Sequence, residues 1–283
     1  MYEAYWNFKE KPFENTPDPR FIYYTQQHKE ALARLIYVAR ERKGAALLTG
    51  EYGSGKTLLS RVLWHELQQE NRYKSAFILN PRLSGGEFIQ EIVHQLTGAE
   101  APPNKIELFH MLHKVLYANH SADRHCVIMV DEAQAIQEKE IFEELRLLLN
   151  FQLDNAFLLT IVLLGQPELK EALAGLPQLQ QRMAVRYHLK ALSEEETKAY
   201  IEHRLAVAQA QNNIFQEDTF RDIYFYSAGI PRRINTLCDL ALLVGFGNGE
   251  HIITRKAITS IGDDMGASTG QQPSELGPGI PNL

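Results

Sequence analysis

The residues with the clearest chemical potential form the loop GEYGSGKT at positions 50–57. This loop matches the pattern G-x-x-x-x-G-K-[ST], follows the apolar run at 45–48 and precedes a helix-like segment at 58–63. In such a loop successive backbone N–H groups point inward and the following helix adds positive potential, so the loop replaces the water that a polyphosphate loses. The sequence therefore predicts that this loop binds a nucleoside triphosphate.

Two side chains of the loop have distinct expected roles. The Lys56 ammonium group is expected to reach the terminal phosphates, and the Thr57 hydroxyl is expected to take a place on Mg²⁺. The remaining loop residues are expected to line the phosphates: Gly50, Glu51, Tyr52, Gly53, Ser54 and Gly55. The alternative is a glycine-rich turn without a ligand, and the flanking strand and helix argue against it.

An acidic pair, Asp131 and Glu132, follows a second apolar run at 126–130. A uniformly apolar run is typical of a strand that is covered on both faces, and ligands bind at the carboxyl ends of such strands. In a nucleotide site Asp131 would hold Mg²⁺, usually through water, and Glu132 would polarise the attacking water as general base. The alternative is an acidic start to the following helix. The loop about 75 residues upstream favours the nucleotide site.

Gln166 is a polar residue at the end of a third apolar run, at 157–164. A side chain there is placed to hold the γ-phosphate or the attacking water, and the alternative is a simple turn residue before a helix. Four histidines between positions 94 and 120 follow no recognised ligand pattern, so no metal site is expected from them.

The composition is that of an ordinary globular protein, with 283 residues, 45% of them hydrophobic. A net charge of −6 gives no global reason to expect nucleic acid, although a local basic patch would still bind phosphate backbone. Cys126 and Cys238 lie in apolar surroundings, which favours buried thiols in a reducing compartment. The N-terminus does not resemble a secretory signal and no apolar run reaches about 18 residues. We therefore expect a soluble, cytoplasmic chain without a transmembrane segment.

The elements that position these residues alternate between strand and helix up to about residue 190 and are helical beyond it. Residues 1–27 are rich in aromatics and prolines, which predicts an extended strap packed on the next domain or, alternatively, over a nucleotide base. We expect an α/β core at 28–190 and a helical domain at 191–262, which begins with a capping box at Ser193 and Glu196. The Pro/Gly-rich residues 263–283 predict a disordered tail.

Several motifs in this order resemble the AAA+ ATPases of the general secretion pathway protein A (ExeA-like) family. They are GEYGSGKT, CVIMVDEAQ, LLGQPEL, QQRMAVRYHLKALSEEE and SAGIPRRIN, preceded by FKEKPFENTPDPRFIYYTQQHKEAL. The resemblance extends over about residues 1–262. It implies a P-loop NTPase fold of the AAA+ type, with a parallel core sheet flanked by helices and a small all-helical lid. It also implies Mg²⁺-dependent hydrolysis of ATP.

The resemblance assigns further roles residue by residue. The loop corresponds to the Walker A motif, Asp131 and Glu132 correspond to Walker B, Gln166 to sensor 1, and Arg232 in the lid to the sensor 2 arginine. Arg182 corresponds best to the arginine finger that reaches the γ-phosphate of a neighbouring subunit, and Arg186 is a second candidate. A guanidinium there raises the rate by several orders of magnitude. A finger acting in trans implies a homo-oligomer, either a ring or a filament.

The resemblance also implies a motor or switch that assembles or remodels a secretion, pilus or polysaccharide-export machine of the cell envelope. Relatives couple the ATPase to a membrane segment and a peptidoglycan-binding domain, and here only the Pro/Gly tail follows residue 262. We therefore expect a protein partner and a link to the inner membrane through it. The alternative function is an ATP-dependent DNA-binding regulator of the transposition-targeting type. A small-molecule kinase is disfavoured by Glu132 and the helical lid.

Overall fold

The computed structural model describes residues 1–154 and 156–269, which belong to two units. The larger unit is Pro17–Ala191. The smaller unit combines Met1–Thr16 with the chain from Leu192 onward. The chain thus passes from one unit to the other at two places in the sequence, once near each end of the larger unit.

The larger unit is built on a sheet of five parallel strands in the order β2-β3-β4-β1-β5. Every residue of β1, β3 and β4 is buried, as expected for central strands covered on both faces. The strands are β1 Ala45–Gly50, β2 Tyr73–Ile78, β3 His125–Val130, β4 Leu159–Gly165 and β5 Met183–Leu189. β4 begins two residues later than its apolar run, because Phe157 instead forms an isolated antiparallel bridge with Gln152.

Helices cover both faces of this sheet, and the alternation of β1 shows which face meets which helices. Ala46 and Leu48 pack in a core with the first two helices, whereas Ala45 and Leu47 face the other five. The helices are α1 Gln26–Arg40, α2 Lys56–Gln69, α3 Gly85–Thr97, α4 Lys105–Ser121, α5 Lys139–Leu148, α6 Glu168–Ala174 and α7 Pro177–Gln181. Short 3₁₀ helices lie at Pro19–Phe21 and Ala133–Ala135. The predicted α/β fold with a parallel core sheet is confirmed.

The topology brings three chemically active segments to one edge of the sheet. The phosphate-binding loop follows β1, Asp131 follows β3, and Gln166 follows β4. β4 lies between β1 and β3, and all three strands run in the same direction. Because parallel strands end at the same edge, the loop, the acidic pair and the glutamine face a common region.

The described residues of the smaller unit form four helices, α8 Glu194–Val207, α9 Thr219–Ser227, α10 Pro231–Asn248 and α11 Arg255–Thr269. The capping box of Ser193 and Glu196 at the start of α8 is present as predicted. α8 ends at Val207, and Gln209 beyond it has a left-handed backbone with φ of 60°. α11 continues through Thr269, so residues 263–269 are helical although the composition indicated a tail. The expected tail at 270–283 lies outside the described residues.

The first 16 residues belong to the helical unit rather than to the domain that follows them in sequence. The Trp6 indole N–H donates to the carbonyl oxygen of Leu242 at 3.0 Å, and Arg204 donates to the carbonyl oxygen of Glu14 at 3.0 Å. The buried aromatic residues of this segment are Tyr2, Trp6, Phe8 and Phe13. The expected strap at 1–27 is therefore divided between Thr16 and Pro17. Its anchoring residues lie more than 180 positions away, which local sequence patterns do not reveal.

Candidate functional site

The loop between β1 and α2 turns sharply at its glycines and exposes the start of α2. Gly53 and Gly55 have φ of 81° and 101°, conformations that favour glycine. Gly55 is the N-cap of α2 and, having no side chain, makes no capping hydrogen bond to the first N–H groups of the helix. The Ser54 hydroxyl is buried and has no hydrogen-bond partner within the described residues. A buried donor and an uncapped helix start suit an anionic ligand.

The first three positions of the loop are Gly50, Glu51 and Tyr52. A Cβ on Gly50 would lie 2.7 Å from the carbonyl oxygen of Leu189 and 2.8 Å from the Ser54 hydroxyl, so only glycine fits there. The side chains of Glu51 and Tyr52 are exposed. The loop thus contributes backbone groups toward the interior and two exposed side chains at its tip.

Lys56 folds back over the loop. Its ammonium group donates to the carbonyl oxygens of Gly50 at 2.8 Å and Glu51 at 2.9 Å, and only 4% of the residue is exposed. Burial lowers the pKa of Lys56, and the carboxylates of Glu132 and Asp131 oppose this shift. The cation is therefore held close to the loop and within electrostatic reach of both acidic residues.

Asp131 is nearly buried at the end of β3, with 3% of the residue exposed. Burial raises the pKa of its carboxyl group. Hydrogen bonds from the Thr57 side chain and from the backbone N–H of Glu132, the latter at 2.9 Å, oppose that shift. The fold thus brings together one hydroxyl and one carboxylate, the oxygen ligands that Mg²⁺ prefers. Among the described residues, no group of three or more His, Cys, Asp or Glu side chains is arranged to bind a metal.

Glu132 is connected to the end of β4 through Gln134. Oε2 of Glu132 accepts a short hydrogen bond from the Gln134 amide and a longer one, at 3.4 Å, from the Gln166 amide. Oε1 of Gln134 in turn accepts the backbone N–H of Gln166 at 2.9 Å. The structure therefore joins two of the predicted site residues. It also adds Gln134, which sequence reasoning did not single out although it lies two positions after Glu132.

The two candidate finger arginines lie away from the loop of their own chain. The carbonyl oxygen of Arg182 accepts a hydrogen bond from the N–H of Ala45, which is the first residue of β1. The phosphate-binding loop begins at the other end of the same strand, at Gly50. At about 3.3 Å per residue, β1 separates the two ends by roughly 16 Å. One guanidinium nitrogen of Arg182 is buried and makes no hydrogen bond within the described part of the chain. Neither observation favours a contact between Arg182 and the loop of the same chain.

Arg186 is exposed on the edge strand β5. Its guanidinium group donates to the backbone carbonyl oxygen of Gln180 at 2.5 Å and to the side-chain oxygen of the same residue at 3.2 Å. Together with Lys170 and His188 it lines a cavity of about 250 Å³ beneath α6 and α7. Arg232 belongs to the other unit, where it is exposed in the first turn of α10.

Known proteins resemble, in sequence and in fold, the part of the chain that carries this site. Residues 39–173 match the AAA domain family, and this range includes the loop, the acidic pair and Gln166. The chain carries an AAA domain. The five-stranded parallel sheet, the loop after β1 and the acidic pair after β3 make its fold that of AAA+ P-loop NTPases. Such a fold binds nucleotides in the region where the phosphate-binding loop and the acidic pair meet.

Two relatives resemble the AAA+ chain over most of its length. It is 39% identical over 265 residues to General secretion pathway protein A of Aeromonas hydrophila, which confirms the resemblance stated above. That alignment covers 92% of this chain and 47% of the relative. It is 22% identical over 259 residues to an uncharacterized HTH-type transcriptional regulator of Methanocaldococcus jannaschii, covering 86% of this chain and 62% of that protein. The chain thus spans about half to two thirds of the length of these relatives.

Solved AAA+ structures share the fold at low sequence identity. The Aeropyrum pernix ORC1 protein, solved in complex with DNA, superposes with a TM-score of 0.67 at 16% identity, covering 90% of this chain and 69% of that one. At this identity the likeness establishes the fold alone. None of the described helices combines the length and the apolar character needed to cross a bilayer.

Proposed function

We propose that this chain is an ATP-hydrolysing AAA+ motor that oligomerises and drives assembly or remodelling of a cell-envelope secretion, pilus or polysaccharide-export machine. One observation carries the ATPase part of the proposal. The Thr57 hydroxyl meets the Asp131 carboxylate beside the phosphate-binding loop, and Glu132 is the next residue. The 39% identity to General secretion pathway protein A supports the choice of an envelope machine.

ATP fits the donors that the chain offers. The uncapped start of α2 and the buried Ser54 hydroxyl would bind phosphate oxygens. Lys56 would exchange its carbonyl acceptors on Gly50 and Glu51 for the terminal phosphates. Thr57 and Asp131 would hold Mg²⁺, and the bound ion would neutralise part of the phosphate charge.

In the proposed reaction, the oxygen of a water molecule forms a bond to the γ-phosphorus and the bond to the β–γ bridging oxygen breaks. ADP leaves, and the proton of the water passes to the Glu132 carboxylate before it is released with inorganic phosphate. The Gln166 amide, which contacts Glu132, is proposed to orient the water or the γ-phosphate. No covalent intermediate with the chain is needed.

Completion of the site is proposed to require a second copy of the chain. Arg182 lies at the far end of β1 from the loop of its own chain, and in this proposal the charge-stabilising arginine comes from a neighbour. We assign this role to Arg182 and keep Arg186 as the second candidate. Arg232 is proposed to sense the nucleotide from the helical unit. A ring or a filament would supply such repeated contacts. In this proposal the oligomer works in the cytoplasm and reaches the inner membrane through a protein partner.

A second candidate function is an ATP-dependent DNA-binding regulator. The observation in its favour is the 22% identity to an HTH-type transcriptional regulator over 86% of the chain. This function predicts ATP-dependent binding to duplex DNA that weakens steeply with salt. If no shift of duplex DNA is seen in the presence of a non-hydrolysable ATP analogue, this candidate is eliminated.

The deciding experiment uses the Glu132→Gln variant. This variant is expected to retain ATP and to lose at least about a hundredfold in turnover, because the general base is replaced by an amide that binds no proton. Affinity capture of the ATP-loaded variant from cells, with Glu107→Gln on the exposed face of α4 as the matched control, would then identify the partner. Wild-type turnover by Glu132→Gln would contradict the site. Capture of DNA instead of an envelope protein would favour the second function.

A further inference from the structure

The hydrogen bonds around Glu132 assign a role to a residue outside the predicted site. Gln134 lies on the short 3₁₀ helix after the acidic pair, and its amide contacts both Glu132 and the backbone of Gln166. It therefore connects the end of β3 to the end of β4 by a single side chain.

The two carboxylate oxygens of Glu132 have different surroundings. Oε2 accepts both glutamine amides, whereas Oε1 accepts no hydrogen bond among the described residues. Glu132 also has a left-handed backbone with φ of 49°, which is uncommon for a residue with a side chain. A side chain on such a backbone needs its neighbours to hold it in place, and here the neighbour is Gln134.

The end of β4 is shaped around the same amide. A Cβ on Gly165 would lie 2.7 Å from Oε1 of Gln134, closer than real contacts allow. The absence of a side chain at this position lets Gln134 approach the strand closely enough to accept the Gln166 N–H. Gln134 and Gln166 thus donate to one oxygen of Glu132, and Gly165 leaves room for the Gln134 amide.

We propose that Gln134 is a positioning residue for ATP hydrolysis. It fixes Oε2 of Glu132 and ties the carboxylate to the end of β4, so that Oε1 is the oxygen that accepts the proton of the attacking water. This inference rests on the proposed ATPase function. In mechanistic terms Gln134 contributes to the rate of the chemical step and not to the affinity for the nucleotide.

The test compares Gln134→Met, which has a similar length and no amide, with the wild type and with Gln69→Met at the exposed far end of α2. We expect kcat of Gln134→Met to fall about tenfold to a hundredfold while the Kd for a fluorescent ATP analogue changes less than about threefold. Unchanged Kd also shows that the variant is folded. Gly165→Ala, whose methyl group would lie 2.7 Å from the same amide oxygen and 2.7 Å from the Leu169 side chain, is expected to lower kcat as well.

The split between kcat and Kd separates positioning from a purely structural role. If Gln134 only supported the fold, its loss would disturb the ends of β3 and β4 and the loop beside them, so Kd would rise as kcat falls. A positioning residue lowers kcat and leaves Kd unchanged.

The outcomes separate the inference from the function on which it rests. If the wild type hydrolyses ATP and Gln134→Met keeps its kcat, or loses kcat and nucleotide affinity together, the role of Gln134 is overturned while the ATPase function stands. If the wild type with Mg²⁺ releases no phosphate from ATP at any protein concentration, both are overturned. A loss of kcat confined to the Gln134 and Gly165 variants, with the Gln69→Met control unaffected, supports the inference.

Discussion

The Lys56 ammonium group lies 2.8 Å from the carbonyl oxygen of Gly50, on the loop that the sequence predicts to bind phosphates. Two carbonyl oxygens of the loop, those of Gly50 and Glu51, therefore accept hydrogen bonds from this cation. Its pKa is lowered by burial, yet two nearby carboxylates favour the charged form. This arrangement keeps a positive charge in place, and because burial lowers its pKa overall, the charged form costs the fold some stability.

We predict that Lys56→Ala weakens nucleotide binding by at least about a hundredfold, because a charge-assisted contact to the terminal phosphates is lost in a desolvated site. Isothermal titration calorimetry with an ATP analogue measures the loss. Lys114→Ala, at an exposed position of α4, is the matched control and should bind as the wild type does. Comparable affinity in the two variants would contradict the role of Lys56.

A second prediction concerns pH and Asp131. Because burial raises the pKa of this carboxyl above its unfolded value of about 3.9, its ionised form destabilises the folded chain. This penalty is absent below the unfolded pKa and develops as the pH rises through the folded pKa. Without nucleotide, Asp131→Asn should therefore match the wild type in thermal stability at about pH 3, below the unfolded pKa, and exceed it at about pH 7.

The Asp131→Asn variant should behave in the opposite way once ligand is added. Mg²⁺ and ATP are expected to raise the melting temperature of the wild type, and to raise that of the variant much less, because an amide is a weaker ligand than a carboxylate for a hard cation. Thermal scans at both pH values, with and without Mg²⁺, provide the measurement. An equal ligand-induced shift in both proteins would exclude Asp131 from the metal site.

The core of this fold was predictable because its strands are buried on both faces and therefore read as continuous apolar runs. The runs at 126–130 and 157–164 predicted β3 and β4, and the polar residues after them marked the ligand edge. The role of Gln134 was not predictable in this way. An amide two positions after an acidic pair has no periodic signal, and its contact with Gln166 spans 32 positions.

The partners of the N-terminal segment were likewise not predictable from the sequence, and they lie even farther away along the chain. Its aromatic residues predicted burial correctly, but their partners did not follow from the sequence. Tyr2 donates to Asp239, 237 positions away, and Trp6 donates to Leu242. Local patterns report how much of a segment is buried and not which distant element covers it. The division of the expected strap between two units follows from such distant contacts.

The third prediction tests the assignment of the finger to a neighbouring copy. Arg182→Ala and Glu132→Gln proteins should each be inactive alone, because one lacks the charge-stabilising arginine and the other lacks the general base. Mixing them should restore hydrolysis, since a site with an intact Glu132 then meets an intact Arg182 from its neighbour. At equal amounts and random assembly, roughly a quarter of the sites are complete. Phosphate release against mixing ratio is the measurement.

The same mixture made with Arg186→Ala is the matched control for this experiment. If Arg182 is the finger, Arg186→Ala should be active on its own. Inactivity of Arg186→Ala together with recovery on mixing would transfer the role to Arg186. A complete lack of recovery for both arginines at every ratio would argue against any finger that acts between subunits.

The last prediction concerns the helical unit, where Gly229 precedes α10. Its φ is 69°, and an added Cβ would lie 2.1 Å from the carbonyl oxygen of Leu192, while its own carbonyl oxygen accepts the Leu192 N–H at 2.9 Å. Gly229→Ala therefore adds both backbone strain and a collision, and should cost more than about 2 kcal/mol. Gly247→Ala within α10 meets no atom within 4 Å and should instead stabilise by about 0.5 to 1 kcal/mol. Urea unfolding followed by circular dichroism measures both changes, and equal midpoints for the two variants would show that the close approach of Leu192 to Gly229 does not constrain the fold.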